Sequence, residues 1–172
     1  MNNKLIKYLR SDHAGEIGAV YIYIGILKTS SCPKVIEFAK KHLLTEKKHL
    51  KEIERLLPSK DRSKLLFIWK LSGLVLGAVC GRIGPKWVYH SIEKVETFVE
   101  AHYQEQIDYL SKEEQSYLEV LTTIKKCQAD EIDHKTEASE LQQSNEKTFS
   151  LNCWLWLINW GSKQAVEMAK IF

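Results

Sequence analysis

The sequence predicts an all-α fold, a four-helix bundle extended by two apolar helices. Apolar residues recur at spacings of three and four along nearly the whole chain, which is the period of a helix with one buried face. No segment shows the alternation of apolar and polar residues that is typical of a half-buried strand. The chain also holds only eight glycines and three prolines in 172 residues, too few for the many tight turns of an all-β fold.

Length and composition indicate one globular domain, which we expect to cover residues 1–172. The chain is close to a typical domain size of about 150 residues. Its 44% hydrophobic and 27% charged residues are typical of globular proteins and exclude disorder for most of the chain. The net charge, 25 − 22 = +3, is too small to indicate nucleic-acid binding, so we expect no nucleic-acid partner.

The cysteines and the first residues bear on the compartment. The four cysteines are far apart and form no Cys-x-x-Cys pair, which favours reduced thiols inside a cell. Residues 1–10 have neither the apolar stretch nor the cleavage site of a signal peptide, so we expect a chain that acts where it is made.

Two long amphipathic helices are predicted in the first third of the chain. The first covers 12–29, because Ser11 and Asp12 are residue types that cap helix N-termini. The second covers 33–57, because Pro33 suits the first position of a helix and a second proline follows the segment.

Two further amphipathic helices are predicted over 86–110 and 113–141. The first of these follows Pro85, and both carry apolar stripes with helical spacing. The polar residues 142–148 indicate a loop after the second one.

Two apolar helices complete the prediction, over 65–81 and 150–171. The first contains Lys70 as its only charge and, at 17 residues, lies at the short edge of what spans a membrane. The second is rich in tryptophan, but its apolar part is too short to span.

The pattern Glu-x-x-His occurs twice, at Glu46 and His49 and again at Glu131 and His134. Residues three apart on a helix lie on one face, so each carboxylate and imidazole can bind the same metal ion. One such pair on a charged helix is usually surface decoration. Here each pair interrupts an otherwise apolar stripe, which makes the surface explanation weak.

Two other stripes each carry one glutamate, Glu16 and Glu96. The chain order is therefore Glu, Glu-x-x-His, Glu, Glu-x-x-His, which matches the ligand set known from di-iron and di-manganese carboxylate bundles. Four carboxylates in one core would repel each other and be desolvated at high cost unless cations lay between them. Oxygen and imidazole donors without thiolate suit iron or manganese better than structural zinc.

Other histidines and acids are interpreted as structural. We expect His42 to be a core histidine, or one that supports the ligands, and His90 to be exposed. The remaining acids are expected on solvated faces: Glu52, Glu54, Glu100, Glu105, Glu113, Glu114, Glu119 and Glu137.

A family resemblance starts from the segment Asp12-His13-Ala14-Gly15-Glu16-Ile17-Gly18-Ala19. This segment resembles the N-terminal motif of the demethoxyubiquinone hydroxylases of ubiquinone biosynthesis, which are ferritin-like di-iron carboxylate proteins. The resemblance covers nearly the whole chain, and its further matches are 46–50, Val95-Glu96, 101–103, 130–134 and the hairpin residues Trp69, Gly73, Gly77 and Gly84. Two departures, a missing proline after Arg62 and a different sequence over 135–137, bear on substrate details.

The resemblance implies a ferritin-like four-helix bundle with a di-metal core. It implies two iron ions, with Glu46 and Glu131 bridging them, and the full ligand set would be Glu16, Glu46, His49, Glu96, Glu131 and His134. His102 and Tyr103 match a pair with a suggested part in electron or proton transfer, with ordinary helix packing as the alternative.

The resemblance also implies the reaction. The chain would be a monooxygenase that uses O2 to hydroxylate the ring of demethoxyubiquinol or demethoxyubiquinone, a prenylated benzoquinone of the 2-polyprenyl-3-methyl-6-methoxy-1,4-benzoquinone type. Electrons would come from the quinol itself or from a nicotinamide nucleotide. Partners from ubiquinone biosynthesis would be expected.

A long-tailed quinone lies in a membrane, so we expect the protein to reach one. Four of the five tryptophans lie in or beside the apolar segments. We expect Trp69, Trp154, Trp156 and Trp160 to anchor at the membrane surface and give substrate access. The expected location is peripheral, on the cytoplasmic face of a bacterial inner membrane or the matrix face of a mitochondrial one. The alternative is that both segments only cap the bundle or form a dimer contact.

Three other functions stay open. A ferritin-like iron oxidase or storage protein would have a polar outer surface and no tryptophan-rich tail. A di-iron tRNA hydroxylase would have a basic patch around its site. A bundle without metal would have to tolerate four inward glutamates.

Overall fold

The computed structural model describes residues 1–113, 117–142 and 146–172, and within them the protein is helical with no strand. The predicted all-α class is confirmed, and the helices are consistent with a ferritin-like helical bundle. The elements are α1 (Asn3–Thr29), α2 (Pro33–Leu56), a 3-10 helix (Ser59–Asp61), α3 (Leu66–Ile83), α4 (Pro85–Leu110), α5 (Leu118–Glu140) and α6 (Phe149–Ile171).

Helix α1 begins at Asn3, so the prediction of a start at residue 12 is wrong. The cap is Asn2, whose side-chain oxygen accepts a hydrogen bond from the Leu5 backbone N–H at 2.9 Å. Ser11 lies inside the helix, where its hydroxyl donates to the Tyr8 carbonyl at 2.7 Å. A residue type that suits a cap therefore serves an interior turn here.

The other predicted bounds agree closely with the structure except at the start of α5. That helix begins at Leu118, whereas the prediction started it at 113. Glu113 itself is not helical, and residues 114–116 lie outside the described part of the chain, as do 143–145 of the predicted loop.

The chain divides into two compact units. The first consists of Met1–Val88 and Trp160–Phe172, and the second of Tyr89–Asn159. The single domain over 1–172 stays a prediction.

In the first unit, α1 and α3 pack against each other with their backbones in close approach. The faces meet at Gly73 and Gly77 of α3, which lie against the backbones of Gly18 and Ile22 of α1. A Cβ atom at Gly73 or Gly77 would overlap those backbone carbonyls. Glycine is therefore needed here for space, since both residues have ordinary helical backbones.

The side of α3 opposite Gly73 and Gly77 carries exposed apolar residues. Phe67, Ile68, Leu71 and Val75 of α3 are exposed, although the helix is apolar along its length. Gly84 follows the last residue of α3 and caps the helix. Its φ of 136° is a backbone angle that residues with a side chain rarely adopt.

The C-terminal part of α6 in the first unit is held by Arg10 of α1. The Arg10 guanidinium donates to the carbonyl of Asp61 at 2.7 Å and to that of Ile171 at 3.3 Å. The Lys64 N–H donates to the Phe172 carbonyl at 2.7 Å. These bonds fix the chain end to the segment between α2 and α3.

The second unit joins α4 to α5 through polar contacts. The Gln128 amide donates to the Glu100 carbonyl at 3.1 Å and to Gln104 Oε1 at 3.0 Å. Lys135 forms an ion pair with the Glu100 side chain. The first part of α6 is tied to α4 because Trp154 Nε1–H donates to Ser91 Oγ at 2.9 Å.

The glycine contact can be tested by Gly77→Ala. We expect the added methyl to lower the free energy of unfolding by about 1–3 kcal/mol, because the Ile22 backbone cannot move away without shifting α1. Urea unfolding followed by circular dichroism measures the change.

The matched control is Gly161→Ala on α6, where a Cβ atom meets nothing within 4 Å. This variant should be neutral or more stable by up to about 1 kcal/mol, since alanine favours a helix over glycine. Equal effects of the two substitutions would contradict the close approach of α1 and α3.

Candidate metal centre

The first unit brings together one glutamate of α1 and a Glu-x-x-His pair of α2. Glu16, Glu46 and His49 are all buried, with exposures of 3%, 1% and 2%. His49 Nδ1 lies 3.8 Å from Glu16 Oε2 and 3.9 Å from Glu46 Oε2. Each residue offers a ligand atom within 4.8 Å of those of the other two.

The second unit contains the corresponding set. Glu96 comes from α4, and Glu131 and His134 come from α5. All three are buried, and His134 Nδ1 lies 3.0 Å from Glu131 Oε2. Here too the three ligand atoms lie within 4.8 Å of one another.

Helical periodicity explains how the polar ligands come to be inside. They occupy core positions within the buried stripes of α2 and α5, which are Val35, Phe38, Ala39, His42, Glu46, His49 and Ile53, and Val120, Thr123, Ile124, Cys127, Glu131, His134 and Ala138. A residue in such a stripe faces the core whatever its chemistry. The helix therefore buries the ligands, and their charge must be balanced there.

The donor set fits a divalent metal ion. The three ligand atoms of each triad lie close enough to one another to bind the same metal ion after small adjustments. Two buried carboxylates in each triad carry more negative charge than the neutral imidazole offsets. Carboxylate and imidazole donors suit iron or manganese. Each triad could thus hold a metal ion.

His102 and Tyr103 lie on α4, six and seven residues after Glu96. Tyr103 is buried at 1% exposure and His102 is half-buried. The His102 ring stacks on Phe98, with ring centroids 6.3 Å apart and an interplanar angle of 4°. Tyr103 lies two turns from Glu96 on the same side of the helix. Their part in proton or electron transfer stays a prediction.

The tryptophans do not share one environment. Trp156 and Trp160 are exposed at 66% and 51%, and Trp154 is half-buried. Trp69 is only 6% exposed, and its indole N–H donates to Ser63 Oγ at 2.8 Å. The expectation that Trp69 anchors at a membrane surface is therefore corrected, because its polar end is used inside the protein. A part in substrate access stays a prediction for all four.

Helix α3 has the length and composition to cross a membrane. Its 18 residues have a mean hydropathy of 1.6, and 28% of them are buried. One such helix is weak evidence, because the core helix of a soluble protein can have the same composition. Among the described residues, part of the α3 surface is left exposed, at Phe67, Ile68, Leu71 and Val75.

The burial of the other histidines was only partly predicted. His42 is a core histidine as expected, 1% exposed and edge-on to Phe38 at 4.4 Å between ring centroids. His90 is also 1% exposed, so the expectation of a surface position is wrong. The apolar stripe predicted the burial of Tyr89 but gave no signal for His90, the next residue, although both are buried.

His13 and Glu54 form a polar pair that sequence analysis missed. His13 is 1% exposed, and its Nε2 lies 3.5 Å from Glu54 Oε1. Glu54 was expected on a solvated face. The spacing of three between His13 and Glu16 gave one available signal, since it places both on one side of α1.

Comparison with known proteins gives a consistent result. Residues 3–169 match the family model described as ubiquinone biosynthesis protein COQ7. The mitochondrial NADPH-dependent 3-demethoxyubiquinone 3-hydroxylase of Caenorhabditis elegans is 27% identical over 167 residues, covering 95% of this chain and 88% of the relative. The Homo sapiens protein of the same name is 33% identical over 131 residues, covering 74% and 60%.

A bacterial relative carries a slightly different name. The 3-demethoxyubiquinol 3-hydroxylase of Rhodospirillum rubrum is 29% identical over 132 residues, covering 75% of this chain and 61% of the relative. The chain thus spans most of the nematode protein and about three fifths of the human and bacterial ones.

Glu131→Gln tests whether the buried carboxylates are there for a metal. In metal-free protein we expect this variant to be as stable as the parent chain or more stable by about 1 kcal/mol or more, because a buried charge is removed. In iron-supplemented protein it should lose most of its bound metal. Urea unfolding with a chelator and elemental analysis measure the two effects.

Glu140→Gln, on the exposed end of the same helix, serves as the control and should change neither quantity. A metal-free Glu131→Gln protein that is clearly less stable than the parent would show that Glu131 has a structural role instead.

Proposed function

The chain belongs to the ubiquinone biosynthesis protein COQ7 family, and on this premise we propose that it is a di-iron monooxygenase that uses O2 to hydroxylate the ring of demethoxyubiquinol or demethoxyubiquinone. The observation that carries the proposal is the pair of buried Glu, Glu, His triads, one in each unit. The names of the relatives supply the substrate class.

The two triads together would hold two iron ions. Four glutamates supply four negative charges, which two divalent ions balance, and the two histidines complete the ligand set as neutral donors. Glu46 and Glu131 are the proposed bridging ligands. When bound, iron would supply the activation of O2, which no side chain performs by itself.

The chain's own contribution is to hold these ligands and keep water away. All six ligands are at most 3% exposed. His134 Nδ1 lies 3.0 Å from Glu131 Oε2 of its own helix turn, and His49 Nδ1 lies 3.8 Å from Glu16 Oε2 and 3.9 Å from Glu46 Oε2. Tyr103, buried two turns beyond Glu96, is the proposed conduit for a proton or an electron.

The electron donor is proposed by class only. The mitochondrial relatives' names include NADPH, whereas the bacterial names specify the quinol. We therefore infer that electrons reach this chain from a nicotinamide nucleotide or from the quinol, and that partners from ubiquinone biosynthesis assist.

Access to a long-tailed quinone would come from peripheral attachment to a membrane. Helix α3 in the first unit exposes apolar residues, which include Phe67 at 74% and Val75 at 51%. Trp156 in the second unit and Trp160 in the first are exposed as well. Exposed apolar side chains with tryptophan among them suit the membrane interface. The proposed location is the cytoplasmic face of a bacterial inner membrane or the matrix face of a mitochondrial one.

Two of the alternative functions, the iron oxidase or storage protein and the tRNA hydroxylase, have less support. An iron oxidase or storage protein would not need the exposed apolar face of α3. A tRNA hydroxylase would need a basic surface, and the net charge of the chain is only +3.

The reaction can be tested in a bacterial host that lacks this hydroxylation step. Expression of the chain should remove the demethoxy precursor and restore ubiquinone in the quinone profile measured by mass spectrometry. Glu46→Gln should leave the precursor in place, because it removes a proposed bridging ligand. Glu52→Gln, six residues along the same helix and paired with Arg55, should restore ubiquinone fully.

Two results would contradict the proposal. Persistence of the precursor with soluble, iron-loaded protein present would reject the quinone as substrate. Restoration by Glu46→Gln to the level of the parent chain would reject the metal centre as the site of the reaction.

Membrane attachment is tested by flotation with phosphatidylglycerol vesicles. Phe67→Ser combined with Leu71→Ser should reduce the vesicle-bound fraction severalfold, because two exposed apolar side chains of α3 are lost. Leu44→Ser removes an equally exposed side chain, at 70%, from α2 and should have no effect. Equal binding of all three proteins would show that α3 is not the attachment site.

A further inference from the structure

A cavity of about 310 Å³ lies in the first unit between α1, α2 and the start of α3. Its wall is divided between aliphatic and polar residues, and the polar members are His13, Tyr21, Glu54, Arg62 and Lys70. This volume is at the lower end of ligand-binding cavities, large enough for a substituted ring but not for a dinucleotide. None of these polar residues belongs to the metal triads.

The polar side of the cavity is arranged around the Glu54 carboxylate. Arg62 Nη1 donates to Glu54 Oε1 at 3.0 Å, and Arg62 Nη2 donates to the Glu54 backbone carbonyl at 2.8 Å. His13 Nε2 lies 3.5 Å from the same carboxylate oxygen. These contacts orient the Glu54 carboxylate as a hydrogen-bond acceptor. Burial lowers the pKa of His13 despite the nearby carboxylate, which keeps the imidazole neutral.

The cavity also contains a hydrogen-bond donor, the Lys70 ammonium. Lys70 lies over the Tyr21 ring, with its Nζ 5.7 Å from the ring centroid, and so its ammonium is held over an aromatic face. A ligand with both hydroxyl groups and ether oxygens could donate to Glu54 and accept from Lys70. The lining presents both an acceptor, the Glu54 carboxylate, and two cations, Arg62 and Lys70, so binding of an anionic lipid headgroup is an outcome that the test must distinguish.

The cavity adjoins the exposed apolar face of α3. Leu66 and Lys70 line it, and the residues that follow them directly, Phe67 and Leu71, are exposed at 74% and 47%. A ring seated in the cavity could therefore leave an apolar tail along this face.

The cavity also shares helix segments with the first metal triad. Ile17 and Leu50 line it, and they directly follow the ligands Glu16 and His49. Successive residues on a helix point about 100° apart, so the cavity lies along the neighbouring faces of the two ligand-bearing turns.

We propose that this cavity is a receiving site for the ring of a long-tailed quinol, with Glu54 accepting a hydrogen bond from a ring hydroxyl and the tail lying on the exposed face of α3. This inference rests on the proposed function, whose substrate it places. The site prefers the reduced form, because a quinone has no hydroxyl to donate to the carboxylate.

The test is calorimetric titration of the full, iron-loaded chain in detergent without oxygen, using a decyl-tailed dimethoxy-methyl-benzoquinol and the matching quinone as probes. The parent chain should bind the quinol more tightly than the quinone. Glu54→Gln should weaken quinol binding about tenfold, as expected for a lost bond to a charged acceptor, and change quinone binding little. Glu52→Gln, which bridges to Arg55 outside the cavity, should bind like the parent.

A second variant keeps the test decisive if Glu54→Gln fails to fold. Val20→Phe fills part of the cavity from α1 and should abolish binding of both probes. Glu46→Gln, which lacks a metal ligand, should still bind the quinol, because the cavity is formed without that residue.

The outcomes separate this site from the proposed reaction. Unchanged quinol binding in Glu54→Gln or Val20→Phe overturns the receiving site, even where the host experiment shows hydroxylation. Competition by phosphatidylglycerol that is lost in Lys70→Ala but not in Glu54→Gln also overturns it, in favour of a lipid headgroup. Glu54-dependent quinol binding with no hydroxylation in the host supports the receiving site and rejects the proposed function alone.

Discussion

The burial of four glutamate carboxylates is the constraint on which the rest of this protein depends. Each is at most 3% exposed, although a carboxylate is among the side chains that are least stable away from water. A fold that placed them inside without compensation would lose several kcal/mol for each. The helical period makes the placement unavoidable, because these glutamates occupy the core stripe of their helices. A bound metal ion would resolve the conflict by turning an electrostatic cost into a ligand set, which would also account for the histidine that accompanies the glutamate on α2 and α5.

A second constraint acts on α3, which must be apolar outside and still pack inside. Glycines at 73 and 77 let its backbone lie directly against α1, so little of the helix surface is used for this contact. The remaining faces are left exposed and apolar. Glycines on one side let the helix lie closely against α1, and large apolar residues stand exposed on the other side. Trp69 fits the inward half of this division, because its indole N–H is satisfied by Ser63.

Glu54 shows how the same kind of residue takes a different part when its partners differ. It is partly exposed, and Arg62 and His13 meet it from two other segments of the chain. Its carboxylate is held by an arginine and a histidine of this chain. The first unit therefore contains a glutamate set suited to metal and, along the neighbouring helix faces, one suited to a hydrogen-bonding ligand.

The sequence by itself determined the helical class, most helix bounds and the six candidate ligands. Period and spacing are local properties, and the two Glu-x-x-His pairs report their shared face without any knowledge of the fold. Tertiary structure decided what depends on distant partners. The start of α1 was missed because Ser11 bonds to Tyr8 within the helix while Asn2 provides the cap. His90 and Trp69 were misplaced because their burial depends on residues far away in sequence, as with Trp69 against Ala169. A stripe says which side of a helix is covered, but only the packed structure says by what.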